Sequence, residues 1–245
     1  TENRLINAAV VFQKGAIRGV VPKTYLPNYK EFQEQRWFTS ATELRESTIS
    51  IGKEEYPMGS HLLFRSGRLT AGIEICEDLW VPVPPSSLLT MEGANIIFNL
   101  SASNELIGKH AYLRSLICQQ SARCMAGYVY ASSGFGESST DLVFAGNGII
   151  AENGNLLAES PRPVDPHPFT PSGEALKERC EEIFHIQVAG LAKRLVHAHA
   201  QTAVVGISGG LDSTLALLVT VMTFDALKMP RGQIFGITMP GFGTT

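Results

Sequence analysis

The chain has 245 residues, of which 44% are hydrophobic and 18% charged, with a formal net charge of -3. That length supports a sizeable core in one large domain or two smaller ones, and the balance is that of a packed globular protein rather than a disordered segment. The weakly acidic charge leaves no electrostatic footprint for nucleic acid, and no apolar run approaches the roughly 20 residues of a membrane span, so neither is an implied partner.

The four cysteines, Cys76, Cys118, Cys124 and Cys180, show no paired C-x-x-C spacing. They suggest neither a zinc site nor a disulfide framework and fit a reducing cytoplasm. His197 and His199 stand two apart and share no helix face, and the other histidines form no ligand pattern, so no metal site is expected among them. The sequence opens at Thr1 without a charged-then-apolar leader and stops in the loop-like stretch 240–245. Both ends read as cuts.

In chain order, β-branched and apolar runs predict strands over Asn7 to Phe12, Gly19 to Pro22, Leu62 to Phe64, Thr70 to Cys76, Asn95 to Leu100, Tyr128 to Ser132 and Leu142 to Ile150. A helix is expected from Gly108 to Met125, where Leu113, Leu116, Ile117 and Cys124 recur at helical spacing; Cys118, Cys124 and Cys180 read as helix-packing residues. Asn153-Gly154, before Leu156-Leu157, signals a hairpin. Five prolines at 161, 163, 166, 168 and 171 mark a linker between a first domain, 1–160, and a second, 172–245. Beyond the linker, Ser172 resembles an N-cap for a helix running to about His199. A strand from Thr202 to Ile207, a glycine turn, a helix from Asp212 and a strand from Gln233 to Thr238 then form a βαβ unit. The alternation places the whole chain in the α/β class.

The sharpest motif is Gly206-Ile207-Ser208-Gly209-Gly210-Leu211-Asp212-Ser213, between an expected strand and an expected helix. Glycines there let a backbone approach a phosphate closely, and the free amides of a helix start favour an anion. No Walker lysine is present. The SerGlyGlyLeuAspSer run resembles the pyrophosphate loop of the ATP pyrophosphatases, and that resemblance implies ATP, with Mg2+ carried by the nucleotide.

A second constellation is Gly72-Ile73-Glu74-Ile75-Cys76-Glu77-Asp78-Leu79-Trp80, a strand that ends on a cysteine and runs into an acidic turn. Such a turn exposes a sulfur for nucleophilic attack, although a cysteine considered alone is more often an inert packing residue. Upstream, Lys23 stands where a strand gives way to the proline-stiffened stretch Thr24-Tyr25-Leu26-Pro27-Asn28-Tyr29, with Glu34 soon after. Together these segments resemble the nitrilase superfamily, which implies an αββα sandwich with Cys76 as nucleophile, Lys23 as oxyanion stabiliser and Glu34 as a supporting glutamate. The superfamily's general-base glutamate should precede the lysine, yet only Glu2 is acidic before Lys23. The base is expected to lie in a missing amino-terminal segment.

The stretches 23–38, 76–85, 99–104, 128–130 and 136–141 narrow the resemblance to the family of glutamine-dependent NAD synthetases. It implies that Tyr29, Glu77, Ser103 and Lys109 hold glutamine. Ser103 could equally cap a helix, and Lys109 could be only its solvated first turn. The family resemblance also implies glutamine, ATP and deamido-NAD as substrates, a cytoplasmic homo-oligomer, and ammonia passed through a tunnel to an adenylated intermediate. Departures are the absent base, a short stretch between Ile150 and Pro161, and a second domain that stops after its second strand. The other readings are a free-standing carbon-nitrogen hydrolase or a non-catalytic remnant.

Overall fold

A computed structural model describes residues 4–106, 108–134, 136–137, 142–161 and 173–238. Glu2, most of the proline-rich linker, Ser172, residues 138–141 and the stretch 240–245 lie outside the described residues. The chain forms two compact units. The first comprises 1–104, 111–137 and 144–162; the second comprises 105–110, 138–143 and 163–245.

In the first unit, β1 (Ala8–Gln13) and β2 (Ala16–Pro22) form an antiparallel hairpin. A second hairpin joins β3 (Thr48–Ile51) to β4 (Glu54–Pro57) through Gly52, whose φ of +66 suits a tight turn. The main sheet has six strands. Its members are β5 (Phe64–Ser66), β6 (Leu69–Ile75), β7 (Ile96–Ser101), β8 (Gly127–Ser132), β9 (Gly148–Glu152) and β10 (Asn155–Glu159). They lie in the order β10-β9-β8-β7-β6-β5, with β6, β7 and β8 parallel to one another. Helix α1 (Pro85–Met91) links β6 to β7, and α2 (Lys109–Cys124) links β7 to β8. Parallel neighbours require such crossovers.

Strand alternation sorts the sheet into two faces. Ile97, Tyr128, Tyr130, Ile149 and Ala151 pack against Leu89 of α1 and Leu113 and Ile117 of α2. On the opposite face Ile73 and Ile75 meet Ala9 of β1 and Val21 of β2. Helices, sheet and hairpin are thus stacked in layers, as the sandwich expectation requires. A Cβ at Gly72 would stand 2.9 Å from Ile97 Cδ1 and 3.0 Å from Leu89 Cδ1, so glycine there lets β6 sit close beneath α1.

Most expected strands appear within a residue or two. The Leu142 to Ile150 expectation is corrected: only its end enters β9, because Ala145 and Gly146 donate their amides to Ser103 and Ser133 instead of to a strand. Leu62 and Leu63 likewise precede β5. The Asn153-Gly154 turn joins β9 to β10 with φ of +47 and +84, the positive pair that a tight hairpin turn needs.

In the second unit, α3 (Gly173–His197) precedes β11 (Ala203–Gly206), α4 (Leu211–Ala226) and β12 (Ile234–Ile237). Strands β11 and β12 pair in parallel, which gives the expected βαβ unit. Cys180 departs from its packing expectation: it lies exposed on α3, whereas Cys118 packs partly buried against the first unit's core.

Candidate active site

Strand β6 carries Ile75 to the sheet's carboxyl edge, where Cys76 turns with a φ of +50. That left-handed conformation is strained for a residue with a Cβ and costs about 1–2 kcal/mol. Asp78 compensates. Its Oδ2 accepts the Ile75 amide at 2.9 Å, and its Oδ1 accepts the amides of Tyr25 at 2.8 Å and Thr24 at 3.2 Å. One buried carboxylate therefore fastens the Cys76 turn to the segment just after Lys23.

Lys23 lies at the end of β2, only 1% exposed, and its Nζ pairs with Glu34 Oε2 at 2.7 Å. Its own carbonyl accepts the Ala41 amide, so the backbone there is held as well. A solvated surface lysine is ruled out. Cys76 is partly buried, leaving its sulfur some access. A buried ammonium, a partly accessible thiol and a supporting carboxylate are thereby gathered at one end of β2 and β6.

The glutamine-binding candidates are distributed unequally. The Tyr29 hydroxyl donates to both Glu77 oxygens at 3.0 and 3.1 Å, and burial together with the Glu77 hydrogen bond and charge pushes its pKa up to about 12. Ser103 is 3% exposed, takes the Ser132 hydroxyl as acceptor for its amide, and stands six positions before α2 begins, so it does not cap that helix. Lys109 is the first residue of α2, half-buried in the second unit, with its amide bonded to the Leu106 carbonyl.

Beneath the turn lies a buried polar network that the sequence reading did not single out. Glu74 Oε2 accepts the Ser86 amide at 2.8 Å, Glu74 Oε1 accepts the Tyr128 hydroxyl, and Asn99 Nδ2 donates to Tyr128 Oη at 3.1 Å. The available signal was three polar residues, Glu74, Asn99 and Tyr128, at inward positions of neighbouring apolar strands. Burial raises the Glu74 carboxyl and pushes Asp78 up to about 7, against the pull of its amide donors. Both carboxyls hold a proton more tightly folded than unfolded. Their contribution to stability is therefore complete below the ordinary carboxylate range and is lost as pH rises through each folded value, about 7 for Asp78. Urea unfolding at pH 5 and pH 7.5 should show a drop that is smaller in Asp78→Asn; equal drops in both proteins would refute the Asp78 share.

In the second unit, β11 ends at Gly206 and the chain crosses Ile207 to Gly210 into α4. Gly209 adopts a φ of +83 with nothing within 4 Å of a Cβ position, and Gly210 is an N-cap without a side-chain cap bond. The turn is braced from within. Ser213 Oγ accepts the Ser208 amide at 3.2 Å, Ser208 Oγ accepts the Gly210 amide at 3.3 Å, and the Thr214 hydroxyl bonds the Gly210 carbonyl at 2.9 Å. Leu211 is exposed, and Asp212 is the acidic residue of the first turn. An uncapped helix start beside an open glycine fits a phosphate group. Among the described residues, no group of three or more His, Cys, Asp or Glu could hold a metal, and no helix is long and apolar enough to cross a membrane.

Residues 183–245 match the NAD synthase family. The glutamine-dependent NAD(+) synthetase of Mycobacterium bovis is 36% identical over 305 aligned residues, which take in 99% of this chain and 45% of the relative. The chain thus spans just under half the length of that relative, and because the alignment is longer than the chain's 245 residues, the relative holds residues within it that this chain lacks. Among solved structures, a glutamine-dependent NAD(+) synthetase from Cytophaga hutchinsonii superposes with a TM-score of 0.76 at 26% identity, covering 91% of this chain and 37% of that one. A carbon-nitrogen hydrolase from Helicobacter pylori G27 covers 65% of this chain and 54% of its own at a TM-score of 0.50 and 20% identity, a likeness of fold alone. The chain is therefore a homologue, along nearly its whole length, of the glutamine-dependent NAD(+) synthetases.

Proposed function

We propose that the chain carries the glutaminase site and the ATP pyrophosphate loop of an enzyme that makes NAD from deamido-NAD. The observation that carries this reading is the buried Lys23, paired with Glu34 and tied through the Asp78 carboxylate to the turn that presents Cys76. A lysine is withdrawn from water in this way at little benefit to stability, but it suits a site where negative charge develops.

In the proposed chemistry the Cys76 thiolate attacks the side-chain carboxamide carbon of glutamine, forming a carbon–sulfur bond. The carbonyl oxygen becomes an oxyanion beside Lys23. Collapse of that intermediate breaks the carbon–nitrogen bond, and the nitrogen takes up the proton given up by the Cys76 thiol and leaves as ammonia. Water then hydrolyses the thioester to glutamate and frees the thiol. Tyr29 with Glu77, Ser103 and Lys109 are assigned to hold the amino acid. In the second unit, the amides around Gly209 and Gly210 hold the pyrophosphate part of ATP; Mg2+ would be carried by the phosphates, and Asp212 is the residue that would help to hold it. The nicotinate carboxylate of deamido-NAD is adenylated with release of pyrophosphate, and ammonia displaces AMP. A cytoplasmic homo-oligomer belongs to the same proposal.

A free-standing hydrolase would have no use for the braced glycine turn of the second unit, and the match of residues 183–245 to the NAD synthase family weighs against it. The test is made in the full-length protein. Cys76→Ala should abolish NAD formation from glutamine while leaving formation from ammonium salts intact. Equal loss of both activities, or retention of both, would contradict the division of labour proposed here.

A further inference from the structure

Behind Cys76 the parallel strands β6, β7 and β8 end side by side, and their inward positions there are polar. In register, Ser101 pairs with Ser132 and Asn99 with Tyr130. Tyr130 is 1% exposed, with its ring in the helix-side core, yet its hydroxyl has no hydrogen-bond partner among the described residues. Ser101, Ser103 and Ser132 all stand close enough to pull its pKa down, but none meets it in hydrogen-bonding geometry. Burial prevails, with the charge of Cys76 acting in the same direction, and the phenol is pushed up to about 12. Leu100 aligns Ala131 with Ile75, so Tyr130 stands two register positions before the level of the Cys76 turn.

Buried hydroxyls are rarely left without a partner, and those that are call for an explanation. The neighbouring groups suggest what is absent. Ser101 already donates to Asn99 Oδ1 at 2.8 Å, and the Ser132 hydroxyl already accepts the Ser103 amide. The tyrosine hydroxyl is thus a buried donor without a protein acceptor among the described residues, close to the edge where Cys76 turns.

We propose that the Tyr130 hydroxyl is a substrate-contacting donor, which bonds a polar atom of the carboxamide or acyl group carried at Cys76. The inference rests on the glutaminase reading and adds one residue to it. Tyr130 would complement Lys23: the ammonium meets the oxyanion with charge, while the phenol meets an uncharged acceptor and excludes water from that side. The hydroxyl's lack of a protein partner then reflects a bond that forms only when substrate is present.

The test compares two electrophiles on the wild-type chain and on Tyr130→Phe, with the labelled cysteine identified by peptide mapping. The chloroketone analogue of glutamine presents the substrate's shape, whereas iodoacetamide reports only the thiol. Tyr130→Phe should slow chloroketone labelling of Cys76 by about tenfold, the scale of one lost hydrogen bond, and leave the iodoacetamide rate within about twofold. Equal slowing with both reagents would overturn the proposal in favour of a role at the thiol or in the fold, and no slowing with either would also overturn it. If the chloroketone labels a cysteine other than Cys76 in the wild type, the glutaminase reading itself fails and this inference with it. Should Tyr130→Phe not fold, the structure of the wild-type adduct decides. Tyr130 Oη should lie within about 3 Å of an adduct atom, and a water molecule in that place would overturn the proposal.

Discussion

Lys23→Met is expected to lower the rate at which glutamine acylates Cys76 by about 10²–10³-fold, the cost of removing a fixed donor from a developing oxyanion. The methionine is close in length and apolar, so the core around the end of β2 stays filled while the charge disappears. Glu34 is then left without its 2.7 Å partner, but its side chain is 22% exposed and can turn toward water. The stability loss should accordingly fall below the roughly 3–5 kcal/mol of breaking a fully buried pair. Glu34→Gln keeps an acceptor for Lys23 and should cost much less in rate. Rapid-quench acylation and urea unfolding of the two variants separate these effects. Acylation by Lys23→Met within a few-fold of wild type would mean that the buried lysine is an element of folding only.

Gly209→Val is expected to abolish detectable binding of pyrophosphate to the second unit. The φ of +83 at this position excludes a β-branched residue without strain of roughly 1–2 kcal/mol, and the added side chain would enter the open space against which a phosphate would rest. Gly210 differs: its φ of -83 is ordinary, so Gly210→Val acts through bulk at the N-cap and less through strain. Asp212→Ala should reduce affinity only when Mg2+ is present, since the carboxylate itself repels a bare anion. Calorimetric titration with pyrophosphate, with and without Mg2+, distinguishes the three variants. Unchanged binding in both glycine variants would make the turn purely structural. The Cys76 reaction should be unaffected in all three.

Much of this architecture was legible in the sequence because its signals are local. The Asn153-Gly154 turn, the 16-residue α2 and the strand-glycine-helix order of the second unit each follow from residues close together in the chain. Cys76, Lys23 and Glu34 were found by motif, and the structure brings Lys23 and Glu34 together as an ion pair. What escaped is of two kinds. The hairpin of β3 and β4 is short, largely exposed and rich in glutamate, so its alternation is faint; Gly52-Lys53 was its one local mark. Helix α1 spans only seven residues and begins with Pro85 after another proline, which reads as a loop unless Pro is placed at the first helical position. The second kind is non-local. Asp78 reads as one more acid in an acidic turn, and only the fold brings its carboxylate to the amides of Thr24 and Tyr25, more than fifty residues away. Tyr130 reads as part of an expected strand and of a stretch that carries the family resemblance, and its unpartnered hydroxyl emerges only once β6, β7 and β8 are aligned.

The central claim is that Cys76 is the cysteine at which glutamine reacts, and substrate protection tests it most directly. All four cysteines are free, and Cys180 is the most exposed of them, so simple accessibility would make Cys180 the first to be alkylated. The rates of iodoacetamide labelling at Cys76, Cys118, Cys124 and Cys180 are to be measured by peptide mapping across a glutamine titration. Glutamine should slow labelling of Cys76 in a saturable manner and leave Cys180 unchanged, whereas glutamate should protect less. Labelling of Cys76 that is indifferent to glutamine, or saturable protection of Cys118 or Cys124 in its place, would contradict it.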